Sequence, residues 1–247
     1  MIISKYGLIA KRKKVVIIDL IKKYKTTLNL FFEEIPSSLF CLTGEQLANE
    51  LNITEGVSFN NETSWLHFVK NGVDYFIPKK PIRHSISWNH LYKKGAVYGT
   101  GTENADNDYI DDTTPRTIQN AQVTINSGNY AGTYKVRLLK GCNTNPRKHN
   151  DIIWSKKTEN EWSYFIYSVF SNKAQKHDIP QLSNYTCNDL CFTDKGRWNL
   201  CQETWSSASY NSRLVRGSYN QEDFGAEGSY VQADDSLGWR PVLVKIS

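Results

Sequence analysis

The segment Gly238–Val242 (GWRPV) stands directly before the last apolar run of the chain and carries an aromatic ring, a cation and a proline in succession. A strand does not need such residues in order to begin. Trp239 is large enough to fill part of a core, and Arg240 would need a partner if buried, because an unpaired buried charge is very costly. Proline is tolerated at the first position of a strand. We therefore expect a strand over residues 242–246.

The length and composition of the chain are typical of a globular, aromatic-rich protein. Its 247 residues suit one large domain or a small domain joined to a medium one, and it contains seven Trp, 14 Tyr and ten Phe. No apolar run approaches the roughly 18 residues that cross a bilayer, so we expect no membrane span. The best candidate run, Val15–Ile21, is flanked by basic residues and lacks a cleavage site, so no signal peptide is expected either.

Positive charge is concentrated at the start of the chain. Residues 1–25 carry a net charge of +7, whereas the whole chain carries +5, so the remainder is slightly acidic. A nucleic-acid-binding protein usually spreads its basic surface over the folded domain. We therefore expect no nucleic-acid partner, and two interpretations of the arm stay open: a solvated tail or edge strand, and a contact with an acidic partner surface.

Five cysteines give an odd count, and three of them, Cys187, Cys191 and Cys201, form a C-x3-C-x9-C cluster. Zinc ribbons and fingers use two pairs of ligands with short internal gaps, and here the second pair is missing, although His177 could supply a fourth ligand. Buried free thiols are the favoured interpretation, because Cys is commonly a small core residue. We expect no metal and no other cofactor.

Two local signals in the first half predict defined elements. Thr43 and Gln46 have capping-box spacing, which predicts a short helix over residues 44–51. Asn71-Gly72 lies between two runs of apolar and aromatic residues, 65–69 and 74–78, and both residues tolerate the positive φ of a type I′ hairpin turn. A second short helix is expected from about Ser87 to Gly95.

The residue pattern in the middle of the chain predicts two strands and one further helix. Strands are expected over residues 121–125 and 134–139, after an acidic stretch (106–112) that lacks the glycine and distant Glu of a calcium loop. Thr158 and Glu161 have capping-box spacing, and the apolar residues that follow have the period of a buried α-helical stripe. We expect that helix to pack against the core.

Five stretches, in this order, resemble the anchor motifs of the C-type-lectin-like fold as used by the formylglycine-generating enzyme superfamily and by variable proteins of diversity-generating retroelements. They are Pro81-Ile-Arg-His-Ser-Ile-Ser-Trp88, Thr158-Glu-Asn-Glu-Trp-Ser-Tyr164, Trp198-Asn-Leu-Cys-Gln-Glu-Thr-Trp205, Arg213-Leu-Val-Arg-Gly217 and Asp235-Ser-Leu-Gly-Trp-Arg240. The resemblance implies an α+β fold: a C-type-lectin-like domain over residues 64–247, with short antiparallel strands and two or three helices, preceded by a basic arm and small α+β segment over residues 1–63.

The same resemblance implies that Gly238 makes a tight closing turn and that Trp239 fills the core. It also implies a set of residues that hold the core together. In this group Arg240 would pair with a buried carboxylate, Glu161 or Glu203, and Glu203 would pair with Arg240 or Arg216. The full set is Trp88, Glu161, Trp162, Glu203, Trp205, Arg216, Gly238, Trp239 and Arg240.

The chain departs from the enzymes of that superfamily. They use a cysteine pair between the Arg-Gly strand and the Gly-Phe-Arg end, and residues 218–237 contain no cysteine. The Glu-Pro-Asn and Trp-Asn-Asp triplets of calcium-dependent lectins are absent as well. Glu203 could act as a general acid, but one carboxylate without a placed partner is weak support for catalysis. We expect a protein that is not an enzyme, and an oxidising enzyme is the least favoured class.

A second resemblance covers residues 39–99, which are similar to tailed-bacteriophage virion structural proteins in having a small helix, a Trp-Leu-x-Phe run, a glycine hairpin and a Pro-Ile-Arg segment. It implies a non-enzymatic virion protein of the tail, baseplate or fibre, assembled in the host cytoplasm, with free thiols and an oligomeric state in the particle. Its partners would be other virion proteins and a host cell-surface receptor or glycan. A capsid decoration or collar (neck) protein with a purely structural role is the alternative.

The residues after Trp205 have the composition of a recognition surface. Tyr gives a large rigid contact area, and Ser and Asn give adaptable hydrogen bonds. A long surface loop without a ligand explains the same residues equally well, and both interpretations stay open. The candidate ligand-binding residues are Ser207, Ser209, Tyr210, Asn211, Tyr219, Asn220, Phe224 and Tyr230.

Overall fold

The computed structural model describes residues 30–103, 115–145, 160–170, 181–192, 194–206, 209–217, 224–227 and 232–247. At positions 30, 205, 206, 209–211 and 224–227 only the backbone is described. The predicted basic arm and the acidic stretch 106–112 lie outside these ranges.

Twelve strands and a few short helices form the described part of the chain. The strands are β1 (Leu30–Ile35), β2 (Val57–Ser58), β3 (Trp65–Lys70), β4 (Val73–Pro78), β5 (Arg83–His84), β6 (Gln122–Ile125), β7 (Gly132–Arg137), β8 (Trp198–Ser206), β9 (Ser209–Gly217), β10 (Phe224–Glu227), β11 (Leu237–Trp239) and β12 (Val242–Lys245). The helices are α1 (Ser37–Phe40), α2 (Gly44–Glu50), α3 (Trp88–Lys93) and a π-helix (Trp162–Tyr167).

The strands form two six-stranded sheets. The first has the order β1-β3-β4-β12-β7-β6 and is antiparallel throughout, with Val136 of β7 opposite Leu243 of β12. The second has the order β10-β9-β8-β11-β5-β2 and contains one parallel pair, β11 with β8. The predicted α+β class is confirmed, since helices and two largely antiparallel sheets occur together.

In the first half of the chain, the structures that local sequence signals predict are present. Thr43 accepts a hydrogen bond from the Gln46 backbone, and Gln46 accepts one from the Thr43 backbone at 2.7 Å, so the capping box of α2 is complete. Asn71 and Gly72 have φ values of +52° and +78°, the positive pair that a type I′ turn requires. Ser87 caps α3 by accepting from His90, as expected for a helix that begins there.

The segment Gly238–Val242 carries the chain from one sheet to the other. Trp239 ends β11 in the second sheet, Val242 begins β12 in the first, and the two residues between them make the crossing. The expected tight turn at Gly238 is wrong, because this glycine lies within β11 and has no positive φ. A Cβ at this position would overlap the Gly196 carbonyl oxygen, so glycine is required by the close approach of another backbone.

Two hydrophobic clusters fill the described core. The first gathers three fully buried tryptophans, Trp65, Trp88 and Trp239, and the second surrounds Trp162. Phe40 of α1 joins the first cluster, with its ring centroid 4.8 Å from that of Trp65 and 4.7 Å from that of Phe76. The segment that precedes residue 64 therefore shares both a sheet and a core with the rest.

The helix predicted after Thr158 differs from the expectation in type and in its cap. It is a π-helix, and its side chains are buried on several faces, including Ser163 at 0% exposure. Asn160 accepts from the Ser163 backbone at 2.8 Å, whereas both carboxylate oxygens of Glu161 contact Arg137. Thr158 lies outside the described residues. Burial on more than one face removes the need for the single apolar stripe of an α-helix.

Within the ranges given above, no helix is both long and apolar enough to cross a membrane.

Candidate ligand-binding cavity

The recognition surface predicted from composition falls mostly outside the described structure. Ser207, Tyr219, Asn220 and Tyr230 lie outside the described residues. The backbones of Ser209, Tyr210 and Asn211 belong to β9, and that of Phe224 begins β10, the neighbour of β9 in the second sheet. The described structure therefore gives the strand positions of four of these residues. It does not describe their side-chain contacts.

A β-bulge in β8 lies close to this predicted surface. Leu200 is opposite Val215 and Thr204 is opposite Arg213, so residues 201–203 of β8 face the single residue Leu214 of β9. Bulges redirect side chains and are common beside functional sites. The bulged residues bond elsewhere: the Gln202 backbone donates to Leu139 at 3.2 Å.

Two bulge residues, Gln202 and Glu203, line a cavity of about 240 Å³. Its other walls come from the loop after Val97 and from the segment that follows β7. Every described lining residue carries a hydroxyl, amide, thiol or charged group, and the carbon atoms of these side chains form part of the wall as well. The cavity is lined by Tyr98, Thr100, Lys140, Cys142, Asn143, Thr144, Asn145, Gln202 and Glu203.

Hydrogen bonds to the backbone hold the amide walls in place. The Gln202 amide nitrogen donates to the Leu138 carbonyl at 2.7 Å, and the Asn145 amide oxygen accepts from the Thr204 backbone at 2.9 Å. The Cys142 thiol donates to the Thr144 carbonyl at 2.9 Å. The walls are therefore fixed before any ligand arrives, which lowers the entropic cost of binding.

Glu203 is the buried acid of this cavity. Only 4% of the residue is exposed, and one carboxyl oxygen accepts from the Gly141 backbone at 2.9 Å. Burial raises the pKa of Glu203 to about 8, although that hydrogen bond acts in the opposite direction. The carboxyl group is therefore predominantly protonated at pH 7 and can donate a hydrogen bond as well as accept one.

Glu161 lies in the same region in the opposite ionisation state. Its carboxylate makes two 2.6 Å bonds to the Arg137 guanidinium and accepts from the Lys140 backbone at 3.1 Å. Burial opposes ionisation, but Arg137 outweighs it and lowers the pKa of Glu161. The expected Arg240–Glu161 pair is wrong, because Arg137 takes the place of Arg240.

Arg240 has no carboxylate partner in the described structure. The residue is 0% exposed, and one of its terminal nitrogens donates to the Leu190 carbonyl. The centre of its guanidinium group lies 5.3 Å from the Phe192 ring centroid, and its other two nitrogens have no hydrogen-bond partner. The expected pair with Glu203 is therefore wrong as well; an aromatic face and a carbonyl oxygen stabilise the cation instead.

The remaining predicted core residues lie where they can pack. Trp88 and Trp162 are buried, and the Trp88 indole donates to the Cys201 carbonyl at 3.1 Å. The Arg216 guanidinium lies 5.8 Å from the Trp162 ring centroid, so the two are in cation–π contact, and the described residues give Glu203 no ion pair with it. Only the backbone of Trp205, on β8, is described.

The cysteine cluster is spread over different environments. Cys201 is fully buried on β8, Cys191 is buried after a short turn, and Cys187 is half-buried. His177 lies outside the described residues. Among the residues that are described, no group of three or more His, Cys, Asp and Glu side chains is arranged to hold a metal ion.

A larger cavity of about 580 Å³ lies elsewhere and is more open to solvent. Lys79 and Asp189 are among its lining residues, and Lys79 forms an ion pair with Glu34, which also lines it, at 3.1 Å. An ion pair at a solvent-accessible surface contributes little. The smaller cavity is less open to solvent and contains a buried acid, so it is the better candidate.

Sequence reasoning selected one residue of this cavity, Glu203, and gave it a structural role. The other eight lining residues were missed, because no motif joins the loop after Val97 to a bulge on β8. The bulge of β8 against β9 would have pointed to these residues, but a single sequence does not show how two strands are aligned.

Comparison with models of known protein families, with curated proteins and with solved structures gave no match to this chain.

Proposed function

We propose that this chain is a non-enzymatic structural component of a tailed-phage virion, located in the tail, baseplate or fibre, with a lectin-like domain that binds a host receptor or a partner protein. The ordered motifs that resemble the C-type-lectin-like fold and the phage-like segment 39–99 support it. So does the mixed architecture, in which a Gly-Trp-Arg segment crosses between two sheets.

One observation carries the binding role. A pre-formed polar cavity lies at the β8 bulge, and β8 leads directly into β9, where Ser209, Tyr210 and Asn211 stand. The cavity walls come from three segments distant in sequence. Such a convergence of fixed polar groups is typical of a ligand-binding site. Ser, Tyr and Asn, the residue types that begin β9, are favoured by recognition surfaces.

The same site gives no support to hydrolytic catalysis. Hydrolysis of a glycosidic bond commonly uses two carboxyl groups that flank the bond. Glu203 is the one carboxyl group among the described lining residues, and the oxygens of Glu161 are taken up by Arg137 and Lys140. The proposed role is therefore binding.

Competition for adsorption tests this function. Purified full-length chain is added to host cells before the phage that carries it, and free phage is counted. We expect adsorption to fall in a saturable manner, because the chain occupies the receptor. The same amount of heat-denatured chain serves as the control.

Unchanged adsorption at saturating chain would contradict receptor binding. Labelling of intact particles with an antibody against the chain gives its position independently. Label on the capsid or collar would favour the structural alternative, and absence of the chain from purified particles would contradict a virion role.

A further inference from the structure

Glu203 is a buried acid that forms no ion pair with the described residues. A structural ion pair of this region exists nearby, between Arg137 and Glu161 at 2.6 Å. Glu203 instead accepts a hydrogen bond from the Gly141 backbone and lines a cavity, although burial of a carboxyl group costs stability. A side chain that only filled this space would be more stable as an apolar residue.

We propose that the cavity at the β8 bulge binds one neutral unit that bears hydroxyl and amide groups, the chemistry of a hexose or an N-acetylhexosamine. This inference rests on the proposed binding function and names the class of its ligand. The contacts come from the Glu203 carboxyl, the amides of Gln202 and Asn145, and the hydroxyl of Thr100.

The size of the cavity limits the ligand to one small ring. A volume of about 240 Å³ corresponds to roughly eight water molecules at about 30 Å³ each. Pockets for drug-sized ligands begin at about 300 Å³. The neighbouring units of a longer glycan would therefore lie outside the cavity, toward the surface of β8 and β9.

The charges around Glu203 favour a neutral ligand. Glu161 raises the pKa of Glu203 and Lys140 lowers it. Glu161 itself forms an ion pair with Arg137. Cys201 also lies close, and burial keeps its thiol protonated by raising its pKa. Lys140 is the one lysine or arginine among the described lining residues, and it is exposed. A carboxylate on the ligand would be repelled by the negative charge of Glu161, which also raises the pKa of Glu203.

Ligand-observed NMR with the full chain tests the class of ligand. The probes are glucose, galactose, mannose, N-acetylglucosamine and N-acetylgalactosamine, with glucuronic acid and N-acetylneuraminic acid as charged counterparts. We expect saturable binding of at least one neutral sugar and weaker binding of the charged sugars. Binding of the charged sugars alone, or of none of the probes, would overturn the proposal.

A matched pair of variants locates the binding site. Thr100 and Thr102 are both exposed and belong to the same loop, but only Thr100 lines the cavity. Thr100→Tyr should fill the mouth and weaken binding at least about tenfold, a loss of about 1.4 kcal/mol. Thr102→Tyr should bind as the wild type does. Equal binding by both variants would place the sugar elsewhere and overturn the proposal.

The role of Glu203 is tested by substitution and by the pH dependence of sugar affinity. Glu203→Leu should abolish binding, because the leucine keeps the volume and removes the hydrogen bonds. For the N-acetyl sugars, whose carbonyl only accepts, wild-type affinity should fall as the pH rises through about 8. Glu203→Gln should remove this pH dependence. Wild-type affinity in Glu203→Leu would overturn the assignment.

These results separate the two proposals. Blocked adsorption without sugar binding would defeat the ligand class and leave the virion function in place. Sugar binding that Thr100→Tyr removes, without any block of adsorption, would support the cavity and contradict the receptor-binding role.

Discussion

Glu203 and Glu161 are two buried glutamates whose pKa values are shifted in opposite directions by their partners. Among the described residues, Glu203 accepts from the Gly141 backbone and has no ion pair, and burial raises its pKa to about 8. Glu161 has Arg137, which lowers its pKa in spite of burial. The residue type is the same, so the arrangement of neighbours alone determines the direction of each pKa shift.

Glu203→Gln should make the protein more stable at alkaline pH. Since the folded-state pKa lies above the unfolded one, wild-type stability is complete below pH 4.5 and is lost as the pH rises through about 8. We expect the variant to exceed the wild type by a few kcal/mol, on the order of 1.4 per pKa unit, at pH 8.5 and to match it at pH 4. Urea denaturation at a series of pH values measures this.

Glu161→Gln is the matched control with the opposite sign. A lowered folded-state pKa gives stability that is present above the unfolded pKa and is lost as the pH falls. The variant should lose about 3 kcal/mol at pH 7, because Arg137 is left without its partner. A stability difference that grows with pH in the same direction for both variants would contradict the assignment.

Arg240 shows how a residue can be correctly identified as buried and wrongly paired. Its burial follows from its place beside Trp239, and a carboxylate partner was the expected consequence. The described partner is the Leu190 carbonyl, 50 positions away in sequence. A sequence pattern does not predict which carbonyl or aromatic ring contacts a buried arginine, because every residue has a carbonyl and this chain has many aromatic residues.

Two glycines of different elements have different physical reasons for lacking a side chain. Gly72 has a φ of +78°, and a Cβ added there would have nothing within 4 Å, so only backbone conformation demands glycine. Gly238 has an ordinary backbone conformation, but a Cβ added there would overlap the Gly196 backbone. The first requirement belongs to a turn and the second to the packing of a strand against a distant loop.

Alanine at these two positions should therefore give very different losses. Gly72→Ala should cost about 1 kcal/mol, because a residue with a Cβ is strained in a left-handed conformation. Gly238→Ala should cost several times more, because the added Cβ would overlap the Gly196 backbone and β11 is held between β8 and β5 in the second sheet. Guanidinium denaturation compares the free energies of unfolding. Similar losses, or a larger loss at Gly72, would contradict the described packing.

The bulge and the π-helix are irregular elements that both contact the segment after β7, which lines the cavity. Residues 201–203 of β8 face one residue of β9, and the π-helix begins where Trp162 donates to the Lys140 carbonyl at 2.9 Å. The hydrogen-bonding pattern of each departs from the regular one, and each departure involves the segment after β7. Bulges and π-turns often occur at functional sites, which agrees with the position of the cavity.

The part of the chain before residue 64 contributes to the common fold. β1 pairs with β3 from Ile35 opposite Trp65 to Leu30 opposite Lys70, and His67 contacts Glu33 and Asp74 at 2.6 Å each. Phe40 stacks in the first core cluster. A fragment that starts at residue 64 would expose these surfaces to water.

Truncation tests this dependence. We expect residues 64–247 to lose cooperative unfolding, because β3 becomes an unprotected edge and the core loses Phe40. Residues 30–247 should keep the thermal transition of the full chain, since the contacts named above are retained. A cooperative transition in residues 64–247 would support an independent domain that begins at residue 64.

The sequence alone established the features that depend on neighbours along the chain. Capping residues, the Asn71-Gly72 turn and several strands follow from backbone conformation and hydrophobicity over a few positions. The α+β class and the burial of Trp239 were implied by the order of motifs along the chain. The cavity, the partners of Glu161 and Arg240 and the bulge of β8 required the tertiary structure. The bond from Gly141 to Glu203 spans 62 positions, and such contacts arise from the packing of two sheets, which no local pattern encodes.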